Sequence, residues 1–121
     1  MPAVAGVLFL GLLAACSSSG ASTSAKAPFS VPGSPVRTNH VEAARSYRFS
    51  PAVIEVNRGD TVTWTNDDQF QHTVQLVTGD DQSTHDLGIG QMASITFSQP
   101  GVVYYRCSIH PVQMRGKVIV D

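Results

Sequence analysis

Short segments in which apolar and polar residues alternate follow one another from Tyr47 to the end of the chain. An alternation of period two places one set of side chains on each face of a β-strand, and no segment of this stretch shows a helical period of useful length. Turn residues, such as those at 57–60 and 99–101, separate the segments. This pattern predicts an all-β fold, a β-sandwich with Greek-key connections. The predicted strands are YRFS (47–50), VIEV (53–56), TVTWTN (61–66), HTVQLV (72–77), ASITF (93–97), VVYYRC (102–107) and GKVIV (116–120).

The first part of the chain indicates export. Residues 4–15, VAGVLFLGLLAA, form an uncharged apolar run that is too short to span a bilayer as a helix and that ends at small residues, as a signal peptide does. The tetrapeptide LAAC, residues 13–16, resembles the bacterial lipobox, which implies cleavage before Cys16 and a lipid on its sulfur. An ordinary signal peptide cleaved near the same place is the alternative. Residues 1–15 contain no Lys or Arg, which leaves open a start upstream of Met1.

The predicted organisation therefore has three parts. Residues 1–15 are a signal peptide, residues 16–40 are a lipidated Cys16 with a flexible tether rich in Ser, Ala, Pro and Gly, and residues 41–121 are the folded domain. We expect a monomer that its lipid anchors to a membrane on the extracytoplasmic side, in the periplasm or at the cell surface. A formal net charge of -1 and no cluster of Lys and Arg argue against nucleic acid as a partner.

Cys107 requires an explanation in an exported protein. The chain has two cysteines, and the lipid would consume Cys16, so Cys107 has no partner for a disulfide. A lone thiol in such a compartment is buried, catalytic or bound to a metal. His110 and Met114 lie on the loop that follows Cys107, and His72 opens a predicted strand straight after a polar loop. These four side chains are candidates for a metal site at one end of the sandwich.

The chemistry of these four side chains favours copper. Zinc accepts thiolate and imidazole but has little use for a thioether, and calcium and magnesium prefer oxygen ligands, which the loop lacks. Two imidazoles and a thiolate in a trigonal plane, with a weak axial methionine, describe a blue-copper electron-transfer site. The sequence therefore predicts one copper ion of this kind.

Two long segments resemble the plastocyanin and amicyanin branch of the cupredoxins. They are FSPAVIEVNRGDTVTWTNDDQFQHTV and ITFSQPGVVYYRCSIHPVQMRGKVIV, and the likeness covers nearly all of residues 49–120. The resemblance implies that His72 is the upstream imidazole ligand, Cys107 the thiolate, His110 the second imidazole and Met114 the axial ligand.

The sequence departs from this family pattern in two places. Amicyanin-like loops commonly run Cys-x-x-His-Pro-x-Met, whereas the loop here, CSIHPVQM, is one residue longer. Counting forward from His110 puts Gln113 in the axial place, and an amide oxygen can also serve as an axial ligand. Counting backward from the segment MRGKVIV puts Met114 there, and we favour this alignment. Several family members also have Asn after the upstream histidine, where its side chain braces the ligand loop. Thr73 occupies that position here, and its hydroxyl could bond across in a similar way.

Three classes of function compete. The first is a carrier of single electrons between redox proteins, such as a cytochrome, an oxidase or a reductase. The second is a module that stores or delivers copper, although delivery proteins usually expose clusters of Met or His. The third is an enzyme, which we do not expect, because copper enzymes add further histidines and this chain has four, with no His-x-His pair. For the carrier, His110 is the expected route for electrons, since it lies beside the apolar residues Ile109, Pro111 and Val112.

Overall fold

The computed structural model of the chain describes residues 26–79 and 81–121. The predicted signal peptide, Cys16 and the first part of the predicted tether lie outside these residues. Within the described ranges we find no helical segment with the length and apolarity that a membrane crossing needs. The strands of these ranges are β1 (Val36–Arg37), β2 (His40–Ala44), β3 (Arg48–Ser50), β4 (Val53–Val56), β5 (Thr61–Asn66), β6 (His72–Leu76), β7 (Thr84–Leu87), β8 (Met92–Thr96), β9 (Gly101–Arg106) and β10 (Arg115–Val120).

The strands form two sheets around one hydrophobic core. One sheet has the order β1-β4-β10-β9-β6-β7, and the other has the order β3-β2-β5-β8. Neighbours within a sheet are often distant in sequence, since β4 pairs in parallel with β10 and β2 pairs in parallel with β5. The chain changes sheet at six of its connections, and only β2–β3, β6–β7 and β9–β10 join strands of the same sheet. The predicted all-β Greek-key sandwich is confirmed.

Aromatic side chains fill the centre of the core. Trp64 on β5 and Tyr105 on β9 are fully buried and meet edge to face, with ring centroids 5.2 Å apart, and Phe49 packs against Tyr105 at 4.8 Å. A Cβ atom at Gly116 would collide with the Tyr105 ring, so β10 requires glycine where the ring crosses it. Burial raises the pKa of the Tyr105 phenol. Because Tyr105 lies two residues before Cys107, this packing fixes the end of β9 that carries the thiol.

Of the ten strands in the described residues, β1, β2 and β7 were not predicted from the sequence. β1 and the first residue of β2 lie within residues 36–40, which belong to the predicted tether. β1 has two residues, too few for any alternation to be visible. It is held by parallel pairing with β4 and by ion pairs from Arg37 to Glu55 and Asp121. β7 reads as a polar loop because it is an edge strand in which only Leu87 is buried. Pairing with β6, rather than its own pattern, makes it a strand.

The residues that precede β1 also contact the domain. We call residues 26–35 the N-terminal strap. Phe29 of the strap meets Tyr104 edge to face at 5.6 Å, and Val31 is buried. Tyr104 alternates with the core residue Tyr105 along β9, so its side chain lies on the outer face of the six-stranded sheet. The strap therefore packs on the outside of this sheet.

Candidate metal centre

Two strand ends and one loop bring the predicted ligands together. His72 is the first residue of β6, Cys107 directly follows β9, and Met114 directly precedes β10. Because β9 and β10 are antiparallel neighbours, the two ends of the 107–114 loop are adjacent. The Cys107 amide donates to the Met114 carbonyl at 2.9 Å, and the Met114 amide donates to the His110 carbonyl at 3.0 Å. These bonds fold the loop over the end of the sandwich.

The side chains of His72, Cys107 and His110 converge on one point. Their ligand atoms all lie within 4.8 Å of one another, and no other group of three His, Cys, Asp or Glu in residues 26–79 and 81–121 is so arranged. Cys107 Sγ is 3.9 Å from His72 Nδ1 and 3.9 Å from His110 Nδ1. A metal ion with bonds of about 2.0 Å to nitrogen and 2.3 Å to sulfur, set at 120° in a plane, would place the sulfur about 3.7 Å from each nitrogen. The three side chains thus fit a single trigonally bound transition metal ion.

The two candidates for an axial ligand differ in burial. The Met114 side chain is fully buried and belongs to the hydrophobic core, together with Cys107. The Gln113 side chain is exposed. A thioether in the core supplies a weak ligand that solvent does not reach.

A buried carboxylate holds His72. Asp68 Oδ2 accepts a hydrogen bond from His72 Nε2 at 3.0 Å, which leaves Nδ1 free to face the thiol. This bond, together with one from the Gln69 amide, lowers the pKa of Asp68 below its usual value. Asn66 sets the turn, since its Oδ1 accepts from the Asp68 amide at 2.8 Å. Its amide group donates to the carbonyls of Phe70 and Leu87.

Asp68 was not identified as part of the site from the sequence. Its neighbour Asp67 is exposed, as expected for a solvated turn carboxylate, whereas Asp68 is 8% exposed. The sequence carried one signal for its role, an acidic residue four positions before the predicted ligand His72. Adjacent aspartates in a turn are otherwise indistinguishable until the fold places them.

Two hydrogen-bond donors of Thr73 lie near the thiol. The Thr73 amide donates to Cys107 Sγ at 3.4 Å, and the Thr73 hydroxyl lies 3.8 Å from the same sulfur. The hydroxyl oxygen also accepts from the Ser108 amide at 2.7 Å. Thr73 therefore connects β6 to the 107–114 loop, as the sequence analysis suggested for its hydroxyl. Donors near a thiolate sulfur withdraw electron density from it and so tune a bound metal.

Tyr47 covers one face of His110. Their ring centroids are 4.3 Å apart with an interplanar angle of 42°, and the Phe70 ring lies 6.1 Å beyond Tyr47. Ser46 and Tyr47 both have a positive φ, 69° and 54°, which is uncommon outside glycine. The alternation predicts Tyr47 as the first residue of the strand YRFS, but β3 begins at Arg48, and the left-handed turn directs the Tyr47 ring to the 107–114 loop.

An apolar rim surrounds His110, which is itself half-buried. Phe70, Ile109 and Val112 are 56%, 50% and 73% exposed, and they belong to the two loops that meet at this end of the sandwich. Exposed apolar side chains gathered around one functional group are typical of an interaction surface.

Comparison with known proteins agrees with this site. The chain is 36% identical over 78 residues to amicyanin from Paracoccus denitrificans, a match that covers 61% of this chain and 59% of that protein. Amicyanin from Paracoccus versutus is 35% identical over 72 residues, covering 56% of this chain and 54% of that protein. The chain thus spans less than two thirds of the length of these curated relatives.

Solved structures and a family model complete the comparison. The Cu(I) form of an amicyanin mutant superposes with a TM-score of 0.60 at 34% identity, covering 68% of this chain and 80% of that one. A purple cupredoxin from Nitrosopumilus maritimus gives a TM-score of 0.59 at 30% identity, covering 68% and 98%. The family model for copper binding proteins of the plastocyanin/azurin family matches residues 36–121. The chain therefore belongs to the plastocyanin/azurin family of copper-binding proteins and is a cupredoxin of the type 1 copper class.

Proposed function

We propose that this protein carries single electrons between redox proteins, with one copper ion held by His72 Nδ1, Cys107 Sγ and His110 Nδ1. The observation that carries the proposal is the convergence of these three atoms, all within 4.8 Å of one another, with His72 and Cys107 buried and His110 half-buried. Copper in such a site supplies a reversible one-electron couple between Cu(II) and Cu(I).

The surrounding residues keep the donor atoms in place in both oxidation states. Asp68 fixes the ring of His72, and the Thr73 amide directs its hydrogen to the Cys107 sulfur. The hydrogen bonds at the two ends of the 107–114 loop limit its movement. A donor set that moves little when its charge changes has little structure to reorganise, and that favours fast electron exchange.

Met114, rather than Gln113, is the proposed axial ligand. Its side chain is buried beside Cys107, whereas the Gln113 side chain is exposed. The extra residue of the loop is thus accommodated at the surface, and the thioether remains in the interior.

The apolar rim around His110 is the proposed contact surface for redox partners. A small apolar contact gives modest affinity and fast release, as a carrier needs after each transfer. The burial of Cys107 and Met114 supports the carrier over copper storage or delivery, because neither side chain is exposed to a protein that would accept the copper. The same burial supports a non-enzymatic role.

A visible absorption spectrum and an EPR spectrum of the Cu(II)-loaded protein test the proposed centre. We expect an intense blue or violet band from charge transfer between the thiolate and copper, with the EPR signal of a type 1 site. A colourless complex with an ordinary tetragonal signal would contradict the carrier function.

The proposal includes export and anchoring of the protein through Cys16. An apolar leader ending in LAAC supports it, and a lipid there would hold the monomeric domain on the outer side of the membrane. Mass spectrometry of the mature protein should find a chain that begins at a lipid-modified Cys16, and the Cys16→Ala variant should lack the lipid. An unmodified wild-type chain released into solution would instead indicate plain secretion.

A further inference from the structure

Two buried valines lie apart from the hydrophobic core. Val31 of the strap is 7% exposed and Val53 of β4 is 2% exposed, yet neither belongs to the cluster between the sheets. The next residue along β4, Ile54, is a member of that cluster, so Val53 faces the outside of the six-stranded sheet. A Cβ placed on Gly33 of the strap would lie 3.6 Å from Val53. The strap is therefore packed onto this face, where it covers Val53.

Arg115 lies between the strap and the 107–114 loop and contacts both. Its guanidinium carbon is 4.6 Å from the centroid of the Phe29 ring, within the range of a cation–π contact. Its Nε donates to the Pro111 carbonyl at 2.8 Å. Pro111 directly follows His110, and Arg115 directly follows Met114. One side chain thus spans from the strap to the residue beside a proposed ligand.

We propose that Arg115 is a positioning residue through which the N-terminal strap holds the ligand loop. The inference rests on the ligands named under the proposed function. Phe29 restricts the guanidinium to one orientation, and in that orientation Nε meets the Pro111 carbonyl. A planar guanidinium can stack and donate a hydrogen bond at once, whereas a lysine ammonium cannot match this combination. Loss of Phe29 therefore loosens the loop between His110 and Met114 through Arg115.

Hydrogen–deuterium exchange of the metal-free full chain tests the coupling without relying on copper. The reporter is the Met114 amide, which donates to the His110 carbonyl, and the Trp64 amide in β5 reports global opening. Phe29→Ala should speed exchange of the Met114 amide relative to that of Trp64 by about twofold to fivefold. This is the increase in the open population of the loop that is expected when such a cation–π contact is lost. Phe29→Tyr, which keeps an aromatic ring, should restore the slow rate.

A double-mutant cycle separates action through Arg115 from general destabilisation. Arg115→Ala should speed Met114 exchange at least as much as Phe29→Ala, and adding Phe29→Ala to it should have no further effect. Arg115→Lys should not restore the wild-type rate. Val102→Ala, which trims an exposed side chain of β9, is the control and should leave Met114 exchange unchanged. An equal effect of Phe29→Ala with and without Arg115 would overturn the proposal.

The copper-loaded proteins give an independent measurement. The charge-transfer band and the reduction potential of Phe29→Ala and Arg115→Ala should shift in the same direction, with Phe29→Tyr at the wild-type value. If wild type bound copper without the thiolate band, the proposed function would fail while the exchange result still stood. If wild type showed the band and Phe29→Ala left Met114 exchange unchanged, the role of Arg115 would be wrong and the function would remain.

Discussion

The two histidines of the copper site are held in opposite ways. His72 is fully buried at the start of a strand, and the buried Asp68 bonds to the far side of its ring. His110 is half-buried on a loop, with one ring face against Tyr47 and apolar side chains around it. In the proposed electron carrier, the interior histidine fixes the position of the metal, and the surface histidine gives a redox partner access to it. An electron carrier needs both properties, and this fold assigns them to different ligands.

Replacing the thiol sulfur that lies between the two histidines should have the largest effect. Cys107 Sγ is 3.9 Å from each imidazole, so Cys107→Ser removes the common donor while nearly preserving its volume. We expect the charge-transfer band to disappear on addition of Cu(II), with the far-UV circular dichroism of the sandwich retained. A coloured Cys107→Ser protein would show that another ligand set holds the copper.

Removing the carboxylate behind His72 should weaken copper binding on the interior side. Asp68→Ala leaves a buried Nε2 without its acceptor, and loss of such a partner typically lowers metal affinity by about 10-fold to 100-fold. Competitive titration with a copper chelator measures the change. Asp67→Ala removes the adjacent, exposed carboxylate and should bind copper as wild type does. Equal losses in the two variants would mean that net charge, rather than the His72 hydrogen bond, sets the affinity.

A charge placed on the apolar rim should slow electron exchange on the surface side. Two Val112→Asp molecules that meet through their apolar rims must bring two carboxylates together. If this repulsion costs about 1.4 kcal/mol, the rate of electron self-exchange should fall by about tenfold. NMR of mixed Cu(I) and Cu(II) protein measures this rate. Gln99→Asp adds the same charge at the opposite end and should change the rate little. An unchanged rate in Val112→Asp would place the contact elsewhere, for instance at the exposed Asp67.

Removing the ring over His110 should have the smallest effect. Tyr47→Ala removes one aromatic contact, which is worth about 1 kcal/mol, so the free energy of unfolding of the metal-free protein should fall by about that amount. Tyr47→Phe keeps the ring and should be close to wild type in urea denaturation. If Tyr47→Phe were as destabilised as Tyr47→Ala, the hydroxyl rather than the stacked ring would be the stabilising group.

The sequence singled out the proposed copper ligands, whereas it did not single out the residues that support them. A thiol, two imidazoles and a thioether have few chemical uses in common, and three of these side chains lie within one loop. Asp68 and Tyr47, in contrast, belong to common residue types whose roles depend on where the fold places them. Only its spacing of four residues from His72 distinguishes Asp68 from Asp67 in the sequence. Ser46 and Tyr47 are unusual residues for a left-handed turn.

The edge strands β1 and β7 were missed for a related physical reason. Alternation is visible where one face of a strand is buried, as along β5, in which Val62, Trp64 and Asn66 point inward. β1 and β7 are edge strands that derive their structure from pairing with a neighbour. The strap has no period at all, and its position depends on Phe29 and Val31 meeting the outer face of a sheet formed much later in the chain.

The borders of the two sheets bear on how such molecules behave when crowded. The four strands at these borders are short: β1 has two residues, β3 three, β7 four and β8 five. A long row of free amide and carbonyl groups invites another chain to add a strand, which is how native β-proteins aggregate. These borders offer such a row over a few residues at most, and His85 and Asp86 of β7 interrupt it with polar side chains. Many copies can therefore collide at high local density without pairing their border strands, which leaves the apolar rim free for brief contacts.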